Sequence, residues 1–356
     1  MWFKTKAQSL LNSEYPVIQA GMAGGTTTPE LVAAVSNSGG LGTLGAGYMA
    51  PEQIRSAIQA IKALTDTPFA VNLFIPSPKY SREQEKAFIE TGLQLTERYR
   101  HKFNLESPCI NQVEEDFDEQ LRVILEEKVP YFSFTFGLPS ADTLKKLNDQ
   151  NIYTLGTATT VDEAIQLETA GIDLIVAQGS EAGGHRGTFL AASMEQAMIG
   201  TMALVPQIVD HVSVPVIASG GIMDGRGIAA ALMLGASGVQ MGTAFLTCKE
   251  SGAQEVHKQQ ILNRTEADTM ITKAFSGKEA RGITNRFMAE MADHRAHIPP
   301  YPIQNAVTKD IRKAAGQQKN PDYMSLWAGQ GTRLSKSQTA EDLFNQLIEE
   351  TNTLLR

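Results

Sequence analysis

PVIASGGIMDGRGIAAALMLGASGVQMGT, residues 215–243, reads in turn as strand, glycine loop, helix and strand. PVIASG (215–220) and GVQMGT (238–243) are short apolar runs ended by glycine, and the helix between them starts near Asp224. Two strands joined by a helix pair in parallel through a right-handed crossover. The same alternation extends back along the chain, with strands expected at 15–20, 40–45, 69–74, 131–136, 152–157 and 173–178. Helix boundaries between them are marked. Thr28-Pro29-Glu30 supplies an N-cap followed by proline, Thr160 and Glu163 have capping-box spacing, and Gly171 stops that helix. Eight strands alternating with helices predict an α/β fold, a (β/α)8 TIM barrel with a smaller additional lobe after strand eight. A doubly wound open sheet is the alternative.

Two gaps interrupt the rhythm. Residues 75–130 hold PSPKY and two helix-like segments, near 82–99 and 114–127, an insertion expected at the C-terminal mouth of the barrel. The expected organisation is a barrel over 1–248, a small lid lobe over 249–315, and a helical segment over 316–356 that packs back on the barrel.

Composition narrows the function. The chain has 356 residues, an apolar fraction of 42%, a charged fraction of 20% and a formal net charge of −8. No basic run suits nucleic acid or an anionic membrane, no apolar run approaches a membrane span, and the first residues lack the apolar core of a signal peptide. Cys109 and Cys248 make no disulfide framework. A cytoplasmic enzyme of small molecules is expected, with homo-oligomerisation left open.

Several motifs bear on chemistry. Gly40, Gly42 and Gly45 spell a dinucleotide fingerprint, but they lie inside a strand rather than between strand and helix. They read instead as small residues pressed against a ligand or a neighbouring backbone. Gly220 and Gly221 after the seventh strand, and Gly242 and Thr243 after the eighth, stand where such barrels bind phosphate. The helix start at Asp224 and the charge of Arg226 are expected to assist. AQGSEAGGHRG (177–187) follows the sixth strand: Gln178 offers a donor and an acceptor, Gly183 and Gly184 admit a flat ring, and His185 is held over it. Asn72 closes FAVN on the third strand, where an amide could meet a ring edge. Glu181 reads as a base or a solvated carboxylate, Cys248 as an inactive thiol, and His294 with His297 as a surface turn rather than a metal site.

Together, YPVIQAGMAGG, NSGGLGTLGAG, FAVNLF, GTATTVDEA, AQGSEAGGHRG, ASGGIMDGRG, GVQMGTAF and KAFSGKEARG resemble the nitronate monooxygenase family across most of the chain. The resemblance implies a TIM barrel holding FMN, with O2 and an alkyl nitronate as substrates. It implies that Asn72, Gln178, Gly183, Gly220, Gly221 and Gln240, Met241, Gly242 and Thr243 hold the flavin and that His185 is catalytic. At the first strand end, where many members carry Ala-Pro-Met, this chain has Ala20-Gly21-Met22, placing Gly21 and Met22 against the cofactor. No metal is expected. Flavin-dependent enoyl-acyl-carrier-protein reductases and quinone reductases share the barrel and the Gly-Gly-His segment, and remain the alternative. An IMP dehydrogenase-like barrel would need a cysteine after the sixth strand, and 178–190 contain none. A non-catalytic flavoprotein is the remaining possibility. SGKEARG (276–282) reads equally as a contribution to the site from the second lobe or as a helix start.

Overall fold

A computed structural model describes residues 1–76, 79–190 and 193–355, so Ser77 and Pro78 of the PSPKY stretch lie outside the described residues. In chain order the strands are β1 (Val17–Gln19), β2 (Gly42–Gly45), β3 (Phe69–Phe74), β4 (Tyr131–Thr135), β5 (Tyr153–Ala158), β6 (Leu174–Gln178), β7 (Gly184–His185), β8 (Val216–Ser219), β9 (Gly238–Met241), β10 (Thr269–Thr272) and β11 (Ala280–Ile283). Eight of them form one parallel sheet in the order β1-β9-β8-β6-β5-β4-β3-β2. A parallel bridge from Ile18 to Leu41 joins its two edges and closes the barrel. All eight expected strands are present, with ends that agree to within two residues, and the open-sheet alternative falls away.

Helices cover the outer face, so the strands are buried on both sides and read as nearly continuous apolar runs. Ile18, Leu41, Ala70, Tyr131, Leu155, Leu174, Val176 and Ile217 come from strands around the whole sheet yet meet in one cluster with Ala7 and Leu11 of the helix Lys6–Leu11. Only a closed barrel brings those residues together. The glycines of the false fingerprint have a packing reason. A Cβ on Gly42 would stand 2.2 Å from the carbonyl oxygen of Val32 in the helix Pro29–Asn37, and one on Gly45 would meet the backbone of Met22 and Ala23.

A second apolar core gathers Phe275, Phe287, Met288, Met291, Tyr323 and Leu326 with Tyr99 and Phe103 of the long helix Arg82–Phe103. That helix is also tied by Arg100, buried and 2.8 Å from Asp310. The insertion after β3 and the segment after β9 therefore build one core. The C-terminal helix Ala340–Leu354 packs on the barrel helices Gly225–Met233 and Pro29–Asn37.

The small antiparallel sheet β10-β11-β7 was not expected, and it matters most for function. His185 pairs with Ala280 and Gly184 with Arg281, so the histidine segment leaves the barrel and becomes an edge strand of the second lobe. Among the described residues no helix is long and apolar enough to cross a membrane.

Candidate active site

The C-terminal ends of the barrel strands and the second lobe enclose a cavity of about 420 Å³. Gly21, Met22, Asn72, Gln178, Gly183, His185, Gly220, Gly221, Gln240, Met241, Gly242 and Thr243 all line it. Residues read separately from five segments of sequence thus share one space.

At one end, Gly220 and Gly221 adopt φ of +118° and +73°, a left-handed backbone that favours glycine. A Cβ on Gly220 would come within 3.0 Å of Thr201 Oγ1. The backbone N–H groups of Gly220, Gly221, Gly242 and Thr243 make no hydrogen bond to the described residues. Free amides on two converging loops suit an anion such as phosphate.

The helix start at Asp224 does not join them. Asp224 Oδ1 accepts from the Arg226 and Gly227 amides at 3.0 and 3.3 Å, and Glu350 Oε2 accepts from Gly225 at 2.9 Å. Its N–H groups are already filled by carboxylates. Arg226 pairs with Asp224 at 2.5 Å and lines a separate groove under the C-terminal helix, so the expectation that it neutralises a phosphate is overturned.

At the other end stands His185. Its Nε2 lies 2.8 Å from Ser276 Oγ, and that hydroxyl donates to Lys278 O at 3.0 Å. Both partners belong to SGKEARG, which forms a turn and β11 rather than a helix start. Phe136, Tyr301 and Trp327 surround the imidazole with ring centroids at 5.7, 6.0 and 5.4 Å. Phe136 holds a positive φ of 78°, strained for so bulky a residue, at the end of β4 beside the histidine. Burial and then the charges of Lys278 and Arg312 pull the His185 imidazole down to about 3, so it is neutral near pH 7.

Those two cations lack carboxylates. Lys278 Nζ donates to Thr188 O at 3.1 Å and lies 4.8 Å from the Phe136 ring centroid. Arg312 donates from Nε to Thr308 Oγ1 at 3.1 Å and from Nη2 to Asn305 O and Oδ1 at 2.7 and 2.8 Å. Neither forms an ion pair within 4 Å among the described residues, and burial lowers the proton affinity of both.

A buried framework sets the histidine loop. Gln178 Nε2 donates to His185 O at 3.2 Å, and Gln178 Oε1 accepts from Gly187 N at 2.8 Å. The amide expected at a heterocycle edge is engaged with the loop. Arg186, 3% exposed, donates to Ala197 O and to Gln178 O. Glu163, fully buried, accepts from Thr159 and from Thr188, Phe189 and Leu190. Glu181, half-buried, is more than a solvated carboxylate: it accepts from Thr201 N and Oγ1 at 2.9 Å, at the start of the helix Thr201–Val209.

Ser276 and Lys278 belong to SGKEARG, whose reading as a contribution from the second lobe agrees with this geometry; Tyr48, Phe136, His257, Tyr301, Arg312 and Trp327 carry no short motif and were not anticipated. Buried His257, whose Nε2 is 3.0 Å from Trp327 O, lines the cavity and is pulled down to about 4 by burial. Cys248 is buried with its thiol pushed up to about 12, which leaves it unreactive. His294 and His297 lie in the 3-10 segment Ala292–His297, without a third metal-ligating partner among the described residues.

Comparison with known proteins agrees with this geometry. The sequence profile of the nitronate monooxygenase family matches residues 4–350. Proteins named "probable nitronate monooxygenase" from Staphylococcus haemolyticus and Staphylococcus aureus are each 50% identical, covering 100% of this chain and 99% of the relative. Nitroalkane oxidase from Streptomyces ansochromogenes superposes with a TM-score of 0.90 at 38% identity, over 98% of this chain and 99% of that one. FabK from Thermotoga maritima gives 0.78 at 30% identity, over 99% and 97%. With a closed barrel whose mouth gathers the glycine loops and His185, and with these matches over the whole chain, the chain belongs to the nitronate monooxygenase family of flavin-dependent oxidoreductases.

Proposed function

We propose that the protein is an FMN-dependent nitronate monooxygenase that consumes alkyl nitronates with O2 and releases carbonyl compounds and nitrite. One observation carries this reading: a neutral histidine beside two cations faces the same cavity as an end built of unbonded backbone amides. The amide end fits a flavin phosphate and the cationic end fits an anionic substrate. Gly220, Gly221, Gly242 and Thr243 would hold the phosphate. Gly21, Met22, Asn72, Gly183, Gln240 and Met241 would border the rest of the cofactor, and Gln178 would act there through the histidine loop. FMN, when bound, supplies the redox chemistry that no side chain here provides.

The chain's own residues do the rest. The single proton of the Ser276 hydroxyl goes to Lys278 O, so at His185 that oxygen accepts, and Nε2 carries the imidazole proton. Nδ1 is left with its lone pair, able to take the α-proton from a neutral nitroalkane. A nitronate needs no such step. Lys278 and Arg312 attract it, and its charge favours protonation of the imidazole, which then donates a hydrogen bond to it. Phe136, Tyr301 and Trp327 keep water from this corner.

The test is nitrite release by flavin-loaded protein from a nitroalkane and from its preformed nitronate. His185→Ala is expected to lower kcat/KM for the nitroalkane by about 10²- to 10⁴-fold, the usual range for a lost general base. The loss with the nitronate should be smaller. No nitrite from either substrate would reject the reading. The likeness to FabK favours a second reading, an NAD(P)H-dependent reductase of the enoyl-acyl-carrier-protein or quinone type, marked by anaerobic oxidation of NADH.

A further inference from the structure

The helix Thr201–Val209 starts at Gly200, which has no side chain to cap it. The cap comes from another loop. Glu181, twenty positions upstream, accepts from Thr201 N at 2.9 Å through both carboxylate oxygens, and from Thr201 Oγ1 at 2.9 Å. A serine or aspartate at position 200 would cap this helix locally. Glu181 also lines the cavity that holds the unbonded amides, where its charge opposes that of a phosphate. A helix cap alone does not account for a carboxylate in that place.

The further contacts of Thr201 do. Its Oγ1 lies 2.9 Å from Gly220 O as well as from Glu181 Oε2, so one hydroxyl proton bridges both as a three-centre bond. Gly220 O and Gly221 N–H are the two ends of one peptide unit. An anion that accepts from that N–H polarises the carbonyl and strengthens its bond to the hydroxyl.

The backbone of Glu181 reaches the other anion-end loop. Its carbonyl accepts from Gln330 N at 3.0 Å, and the adjacent Gly329 N donates to Thr243 Oγ1 at 2.9 Å. Gly183 packs on the same segment, where a Cβ would stand 2.5 Å from Gly329 N. Residues 181–184 thus tie both anion-end loops to His185, which follows them directly.

We propose that Glu181 is a positioning residue through which the phosphate of bound FMN sets His185, so that this phosphate acts on the substrate end of the cavity as well as anchoring the flavin. The side chain carries the effect from Gly220 through Thr201, and the backbone carries it from Thr243 through Gly329 and Gln330. This rests on the FMN reading and not on the choice of nitronate as substrate.

The experiment compares wild type, Thr201→Val, Thr201→Ser and Glu181→Gln, each saturated with FMN or with riboflavin, which lacks the phosphate. The first readout is hydrogen exchange at the Arg186 amide, which donates to Glu279 O at 2.8 Å next to His185. In wild type this exchange should be about 5- to 150-fold slower with FMN, the range of one coupling between two sites. Inorganic phosphate added to the riboflavin form should restore part of the protection. Thr201→Val and Glu181→Gln should lose most of the difference between the flavins, and Thr201→Ser, which keeps the hydroxyl, should retain it. The second readout is turnover of ethyl nitronate: kcat, rather than KM, should fall when riboflavin replaces FMN in wild type.

Equal exchange with the two flavins in wild type would overturn the proposal, and that comparison needs no variant. So would a lower melting temperature in Thr201→Val and Glu181→Gln with an undiminished difference between the flavins, which would leave Glu181 a helix cap. FMN bound no more tightly than riboflavin would remove the phosphate from the glycine end, and the proposal with it. If ethyl nitronate does not turn over but the exchange difference stands, the nitronate reading fails and the positioning role holds.

Discussion

Glu163→Gln probes the framework that holds the histidine loop. Oε2 of this buried carboxylate accepts from Thr159 N and Oγ1 at 2.6 and 2.7 Å; Oε1 accepts from Thr188 Oγ1, Phe189 N and Leu190 N at 2.8, 2.6 and 2.9 Å. One side chain thus pins the loop beyond His185 to the end of β5. Glutamine keeps the shape but offers one acceptor oxygen. With that oxygen on the Thr188–Leu190 side, its NH2 group faces the amide of Thr159, and a buried N–H loses its partner. Such a loss costs about 1–3 kcal/mol, and each remaining bond weakens by about 1 kcal/mol without the charge. The total is about 5 kcal/mol, or about 7 °C in Tm for a chain of this length. The assays are denaturation midpoint and hydrogen exchange at Phe189 and Leu190, which should speed markedly. A variant with wild-type midpoint and wild-type exchange would refute the assignment of Glu163 as the anchor.

Further expectations follow from the site. Ser276→Ala should release the His185 tautomer, seen by imidazole 15N resonances as a shift from a single Nε2–H form to a mixture, with up to about tenfold loss in nitroalkane turnover; an unchanged spectrum would refute the role. His185 and His257 sit at about 3 and about 4 in the folded protein, below the ordinary 6.5. The unfolded chain therefore binds more protons between about pH 4 and 6.5, and stability should fall as pH is lowered through that window. His257→Gln should flatten the dependence, and a flat wild-type profile would count against it. Gly220→Ala forces a side chain into φ +118° and against Thr201, so flavin retention after dialysis should drop well below wild type while the barrel stays folded.

The barrel was legible because its strands are apolar on both faces and end in glycine, as PVIASGG does before the helix that Asp224 caps. The strands β7, β10 and β11 were not, since two to four residues show no periodicity. The glycines and His185 could be placed because each sits at a strand end, and strand ends meet at one mouth. Ser276, Arg312 and Tyr301 reach that mouth through the fold of the second lobe. Arg312 stands in a helix, Lys309–Gln317, whose sequence reads as a charged outer face. Arg226 misled for the converse reason: its position beside a glycine loop was visible, but the carboxylates of Asp224 and Glu350 that fill the helix start were not.

The most direct test of the central claim is to mix the flavin-loaded protein anaerobically with propionate 3-nitronate, record its visible spectrum, and then admit O2. A change in the oxidised flavin absorbance on mixing, followed by nitrite and carbonyl product when O2 enters, is expected. An unchanged spectrum with no nitrite, and bleaching only when NADH is added, would contradict it and assign the cavity to a reductase.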